Sequence, residues 1–177
     1  LIGYIGNPAV IESARAVGLG SVPPAERDPE LSTSRGVGSL ITAALERGFE
    51  KIMLTVGGTG SNDGGAGMLE ALGAVVYGRR GRINGIRARD LADITAIDIS
   101  ALDRRLFCTG FTVACDVTNP LTGDNGATFV YGPQKGADGA IIDRLENGMK
   151  NYAAKLAAIS RDVSRVPGVG AGGGGPP

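Results

Sequence analysis

A chain of 177 residues is long enough to enclose a core of its own, and 42% apolar content without an unbroken apolar run of membrane length points to a soluble globular domain. Lysine plus arginine equals aspartate plus glutamate at 18 each, which excludes an overall electrostatic pull toward nucleic acid or an anionic membrane. Cys108 and Cys115 form no C-x-x-C and histidine is absent, which excludes a His-based triad and a Cys/His zinc site and suits a reducing cytoplasm.

Leu1 to Gly6 and Ala9 to Ser13 flank Asn7-Pro8, which reads as a hairpin or, alternatively, as a helix start with Asn7 as N-cap and Pro8 first. A loop from Val22 to Ser32, with Pro23, Pro24 and Pro29, leads to a helix over Ser34 to Arg47. Leu40, Ile41, Ala44 and Leu45 share one face of it, and Gly48 ends it. Lys51 to Val56 reads as a buried strand. A glycine-rich loop follows, then a helix lined by Met68, Leu69 and Leu72, and a returning strand over Ala74 to Tyr77.

The basic segment Arg79-Arg80-Gly81-Arg82, with Arg87 and Arg89, has no aromatic stacking partner beyond Tyr77 and contains turn glycine. It reads as a solvated hairpin tip or lid edge rather than a nucleic-acid contact. Phe111 to Cys115 is rich in β-formers and reads as a second buried strand. A long loop runs on to Ala137, and a helix is predicted from Asp138 to Ser160. Its single stripe, Ile141, Leu145, Met149, Tyr152, Leu156 and Ile159, suits packing on a sheet better than docking of a partner. Gly168 to Gly173 matches G-x-G-x-x-G, but no clear strand precedes it, so its dinucleotide signal is weak. The fold class is mixed α/β, a mixed sheet with helices.

Two loops carry the chemistry. The first, Thr55-Val56-Gly57-Gly58-Thr59-Gly60-Ser61-Asn62-Asp63-Gly64-Gly65, lacks the Gly-Lys-Ser/Thr of a P-loop and the spacing of a dinucleotide fingerprint. Its glycines let main-chain N–H groups approach a phosphate, while Thr59, Ser61, Asn62 and Asp63 offer oxygen and amide groups to an anionic substrate with a metal. The plain alternative is a strand-to-helix connection with Asn62 or Asp63 as N-cap. The second loop begins Asp116-Val117-Thr118-Asn119-Pro120 and contains Lys135, one of four lysines against fourteen arginines, framed by Gly132-Pro133-Gln134 and Gly136. Asp63 and Asp116 thus both fall near strand ends, where open α/β sheets form ligand crevices. A solvated turn lysine is the plain reading of Lys135, and a turn residue that of Asn119 before Pro120.

Four segments, Thr33-Ser34-Arg35-Gly36-Val37-Gly38, Gly57 to Met68, Ala114 to Leu121 and Gly132 to Ala137, resemble the glycerate 2-kinase family in order and approximate spacing. Val22 to Pro29, Ile97 to Asp103 and Val166 to Gly173 extend the resemblance. Departures are Ser39 where that family usually has glutamate, Thr59-Gly60-Ser61 where it has Ser-Ala-Thr, and Val169 and Gly174 where it is alanine-rich.

The resemblance implies ATP-dependent phosphorylation of D-glycerate to 2-phosphoglycerate, with ATP and magnesium and no nucleic-acid or membrane partner, and leaves a homodimer open. It implies that residues 1–165 are the second domain of a two-domain kinase whose flavodoxin-like partner domain is largely missing, and that residues 166–177 begin an interdomain glycine segment. The piece alone is then expected to be inactive. Phosphoryl transfer asks for charge stabilisation around the phosphate and an acceptor at the attacking hydroxyl. On this reading Asp116 and Asp63 divide the roles of proton acceptor and magnesium ligand. Lys135 contacts phosphate and Arg35 clamps the substrate carboxylate, against the plain alternative of an ion pair for Arg35. Thr59, Ser61, Asn62 and Asn119 orient substrate, and Gly57, Gly58, Gly64 and Gly65 form the phosphate loop. The rival expectation is a non-catalytic small-anion or nucleotide-binding α/β module.

Overall fold

The computed structural model describes residues 2–4, 8–160, 162 and 164–171. Strand β1 (Ile2–Tyr4) pairs antiparallel with β2 (Ala9–Glu12), Tyr4 opposite Ala9, as the hairpin reading requires; its turn at Asn7 lies outside the described residues. Helix α1 (Ser13–Val17) follows directly. Helix α2 (Arg35–Glu46) starts at the N-cap Ser34 and buries Ile41, Ala44 and Leu45, and Gly48 takes the left-handed turn beyond its end at φ 80°.

Strand β3 (Lys51–Thr55) lies parallel to β2, and helix α3 (Ala66–Ala71) returns the chain after the glycine loop. Strands β4 (Val75–Gly78), β5 (Gly81–Ile83) and β6 (Ile94–Asp98) form a separate antiparallel sheet in the order β5-β4-β6. The Arg79-Arg80 segment is the exposed tip of the β4–β5 hairpin, as its composition indicates. Strand β7 (Gly110–Ala114) pairs parallel with β3 and completes the first sheet, ordered β1-β2-β3-β7. Short helix α4 (Ala127–Tyr131) and long helix α5 (Gly139–Ala157) follow, the latter capped by Asp138 Oδ1 accepting from Ile141 N at 2.8 Å.

Two apolar clusters result. Ala9, Ile11, Ile52 and Leu54 of the first sheet pack against Val37, Ile41 and Leu45 of α2 and Met68 of α3. Val76, Ile94 and Ile97 of the second sheet pack with Ile86, Leu91, Met149 and Tyr152. Helix α5 therefore buries Leu145, Met149 and Tyr152 of its predicted stripe, chiefly on the 3-10 segment Ala88–Asp93 and on β6 rather than on the main sheet, while Ile141 and Leu156 are half-buried.

One strand departs from expectation. The run Phe111 to Cys115 forms β7, yet Phe111 is 42% exposed and Ala114 and Cys115 are exposed, because β7 is the edge of its sheet. Its β-forming composition reports strand geometry, and burial depends on what covers the edge. No helix among the described residues is long and apolar enough to cross a membrane.

Candidate functional site

Beyond Thr55 the pairing of β3 with β7 continues through Val56 N to Ala114 O at 3.1 Å, and the glycine loop then leaves the sheet. Gly58, at φ 61°, takes a conformation that disfavours side chains, and the loop is stitched to the residues around the end of α1. Leu19 N donates to Gly58 O at 2.8 Å, and Gly60 N donates to Val17 O at 2.7 Å. Gly57 and Gly58 are exposed, whereas every residue from Ser61 to Met68 is buried. The loop therefore divides into an exposed outer half and a buried inner half, of which Ser61 still borders a cavity.

Asp63 belongs to the inner half, with 0% exposure. Its Oδ2 accepts hydrogen bonds from Ser34 N at 2.7 Å, Ser34 Oγ at 2.8 Å and Gly67 N at 3.0 Å. Ser34 Oγ in turn accepts from Met68 N at 2.9 Å. The carboxylate thus joins the amino ends of α2 and α3, whose unpaired N–H groups and dipoles offset the cost of burying its charge. Its lone pairs are directed into the protein. The pairing of Asp63 with Asp116 as metal ligands is corrected accordingly; the N-cap of α3 is Gly65 and not Asn62 or Asp63, although Asp63 does accept from Gly67 N in that helix's first turn.

Gly64 and Gly65 are corrected in the same sense. A Cβ on Gly64 would stand 2.8 Å from Met149 Sδ and 2.9 Å from the Tyr152 ring, so this glycine permits close packing on α5 rather than phosphate approach. Asn62 is also buried, its Nδ2 donating to Thr128 Oγ1 at 3.2 Å. Arg35 pairs with Glu70 at 2.8 Å, and Glu70 accepts from Gly85 N and Ile86 N as well. The arginine ties α2 to α3 and to the segment after β5, and it lines neither cavity described below. Asn119 accepts from Tyr131 Oη at 2.6 Å and donates to Asn125 O at 2.8 Å, which makes it the anchor of the long loop.

Of the cavities along the glycine loop, two meet at Lys135. The smaller, about 210 Å³, lies at the carboxyl ends of β3 and β7 and is lined by Gly57, Gly58, Thr59, Asp116, Tyr131, Gln134 and Lys135 among others. The larger, about 370 Å³, lies on the far side of the loop; Val17, Leu19, Arg27, Ser61 and Lys135 contribute to its walls. Lys135 borders both.

Lys135 is only 2% exposed, which sets aside the solvated-turn reading. It ends the 3-10 turn Pro133–Lys135, and Gly136 at φ 100° lets the chain reverse behind it. Its Nζ donates to Ser61 O at 2.5 Å. Burial pushes its pKa down to about 8, against the attraction of the Asp63 charge, which raises it.

Asp116 is exposed, and no donor among the described residues engages its carboxylate. A magnesium ion is commonly held by one or two carboxylates together with substrate phosphates and water. Asp116 fits that pattern, whereas a cage built wholly from protein does not, since no group of three or more acidic or cysteine side chains is gathered among the described residues. Tyr131, beside it, has its pKa raised by burial and then by the nearby charges of Cys115 and Asp116. Tyr131, Gln134 and Arg27 carry no signal of their own in the sequence; only Val22 to Pro29 and Gly132 to Ala137, as matching segments, pointed to two of them.

The model of the glycerate kinase family matches residues 2–176. Glycerate 2-kinase of Escherichia coli (strain K12) is 50% identical over 170 residues, covering 96% of this chain and 45% of that protein. Glycerate kinase of Bacillus subtilis (strain 168) is 44% identical, covering 96% of this chain and 44% of its own length. A crystal structure from Salmonella typhimurium LT2, of a protein described as glycerate kinase 2, superposes with a TM-score of 0.90 at 48% identity over 94% of this chain and 45% of that one. The chain thus spans less than half the length of the relatives it matches.

Proposed function

This chain belongs to the glycerate kinase family, and we propose that the protein phosphorylates D-glycerate with ATP to give 2-phosphoglycerate, the hydroxyacid being held in the smaller cavity. What supports this reading is the meeting of Asp116, Lys135 and the Gly57-Gly58 backbone on one cavity of about 210 Å³. An anion-stabilising cation, accessible amides and a free carboxylate are the parts that phosphoryl transfer needs.

In the reaction the 2-hydroxyl oxygen forms a bond to the γ-phosphorus while the bond from that phosphorus to the bridging oxygen breaks. ADP leaves with the electron pair. The hydroxyl proton needs an acceptor, and Asp116 is the carboxylate on this cavity's wall. The same residue is the one suited to hold magnesium, which when bound supplies positive charge at the phosphate oxygens. Lys135 and the Gly57 and Gly58 amides place positive charge and N–H donors at the transferred group. Thr59 and Gln134 orient the hydroxyacid on the walls they share with it.

The test is a coupled assay of the whole protein with ATP and D-glycerate, L-glycerate, glycolate and lactate, with the product resolved by phosphorus NMR. D-glycerate is expected to be the preferred acceptor and the phosphate to sit on its 2-oxygen. ADP release that does not depend on glycerate would overturn the reading.

A further inference from the structure

The larger cavity is lined by groups of two kinds. Val17, Leu19 and Leu31 are apolar, while Arg27, Ser61 and Lys135 bring two cations and a hydroxyl. Arg27 is held in place there. Its Nη1 donates to Gln134 O at 3.0 Å and its Nε to Val22 O at 3.2 Å, which leaves Nη2 without a hydrogen-bond partner among the described residues. A Cβ on Gly136 would stand 2.8 Å from Arg27 O, so the segment carrying Arg27 and the turn carrying Lys135 close on each other with no room for a side chain. This closure sets a guanidinium and an ammonium at one cavity.

Two carboxylates, Glu26 and Asp28, share this lining, and neither forms an ion pair with Arg27 or Lys135 among the described residues. Asp28 Oδ1 is taken by Glu30 N at 2.9 Å and Leu31 N at 3.2 Å, and Glu26 is exposed. Asp63, whose charge acts on Lys135, lies behind it inside the protein. A cavity that carries apolar groups and two cations suits a ligand with a flat apolar part and an oxyanion part, since guanidinium recognises phosphate by charge-assisted hydrogen bonds. At about 370 Å³ against about 210 Å³, it is also the cavity of the two with more room for a nucleobase.

We infer that the larger cavity is the nucleotide subsite, in which the apolar groups of Val17, Leu19 and Leu31 take the base and Arg27, with Lys135, takes the phosphates. The choice of a nucleotide rests on the proposed phosphoryl transfer. Lys135 then touches the phosphate chain from one side and the acceptor's cavity from the other, and Arg27 holds the anion that Arg35, paired with Glu70, does not reach.

The experiment measures ADP binding to the whole protein by calorimetry, together with KM for ATP and for D-glycerate, in the wild type, Arg27→Gln and Leu19→Trp. The first variant removes the charge and the second fills the space beside the apolar groups, so whichever melts like the wild type can be read. Both are expected to weaken ADP binding by about tenfold or more while the D-glycerate KM stays within about threefold. Unchanged ADP affinity in the folded variants would overturn the inference, as would a raised glycerate KM with ADP affinity intact. Wild-type protein that binds ADP in a manner dependent on Leu19 and Arg27 but phosphorylates no glycerate would keep the subsite and sink the kinase reading. Glycerate phosphorylation with normal ADP binding in both variants would sink the subsite alone.

Discussion

Lys135 donates its ammonium to the backbone carbonyl of Ser61 at 2.5 Å, across 74 residues of sequence. That bond pins the Gly132 to Gly136 turn to the point where the glycine loop passes from its exposed half to its buried half. The cation is thereby placed between the two cavities with little water around it.

A pH dependence follows from that burial. The ordinary value for lysine is 10.5 and the folded value is about 8, so activity that needs the ammonium is expected to decline as pH rises through about 8. Stability should move the other way: between about 8 and 10.5 the unfolded chain binds the proton that the folded chain has lost, so the Lys135 contribution to stability rises with pH over that window. Below it, both states carry the charge. Rate profiles and urea melts of Lys135→Met against wild type check both. An alkaline limb that survives in the variant would assign it to another group.

Lys135→Ala should lower turnover by about a hundredfold or more, the scale for loss of one group that stabilises transition-state charge. Lys51→Ala is the control, since Lys51 is exposed at the opposite, amino end of β3. Lys150 is less clean because it pairs with the nearly buried Glu146 at 3.5 Å. Equal and small effects of Lys135→Ala and Lys51→Ala would return Lys135 to a packing role.

Asp116→Asn keeps the size of the side chain and removes its charge, and turnover is expected to fall by roughly two to four orders of magnitude. The two tasks open to Asp116 then separate. As a proton acceptor it should leave MgATP binding nearly normal; as a magnesium ligand it should lower apparent magnesium affinity, and excess magnesium should restore part of the rate. Near-normal turnover at ordinary magnesium would eliminate both.

Asp63→Asn is expected to act on stability. The Ser34 N, Ser34 Oγ and Gly67 N donors would face a neutral acceptor that also presents an NH₂ group, at a cost of about 1–3 kcal/mol. Thermal and urea unfolding measure it, and the magnesium dependence of the rate should be unchanged. A variant as stable as the wild type would remove the anchor role.

What could be read from the sequence alone lies within a few residues of itself. The stripe from Ile141 to Ile159 identified α5, the face Leu40 to Leu45 identified α2, and the β-forming runs around Ile52 and Val113 identified two strands, which the fold then places side by side and parallel. Periodicity and left-handed glycine turns are local properties, so local patterns report them. Which way a carboxylate faces is not local. Asp63 and Asp116 follow similar strands in similar loops, yet one is enclosed because Ser34, 29 residues away, delivers its donors, and the other stays open because none of the described segments does. Arg35 found Glu70, 35 residues on, and Arg27 found the turn of Lys135. Tertiary packing decided those partnerships, since the free energy of a charged side chain depends on the donors and solvent gathered around it, and distant segments supply both.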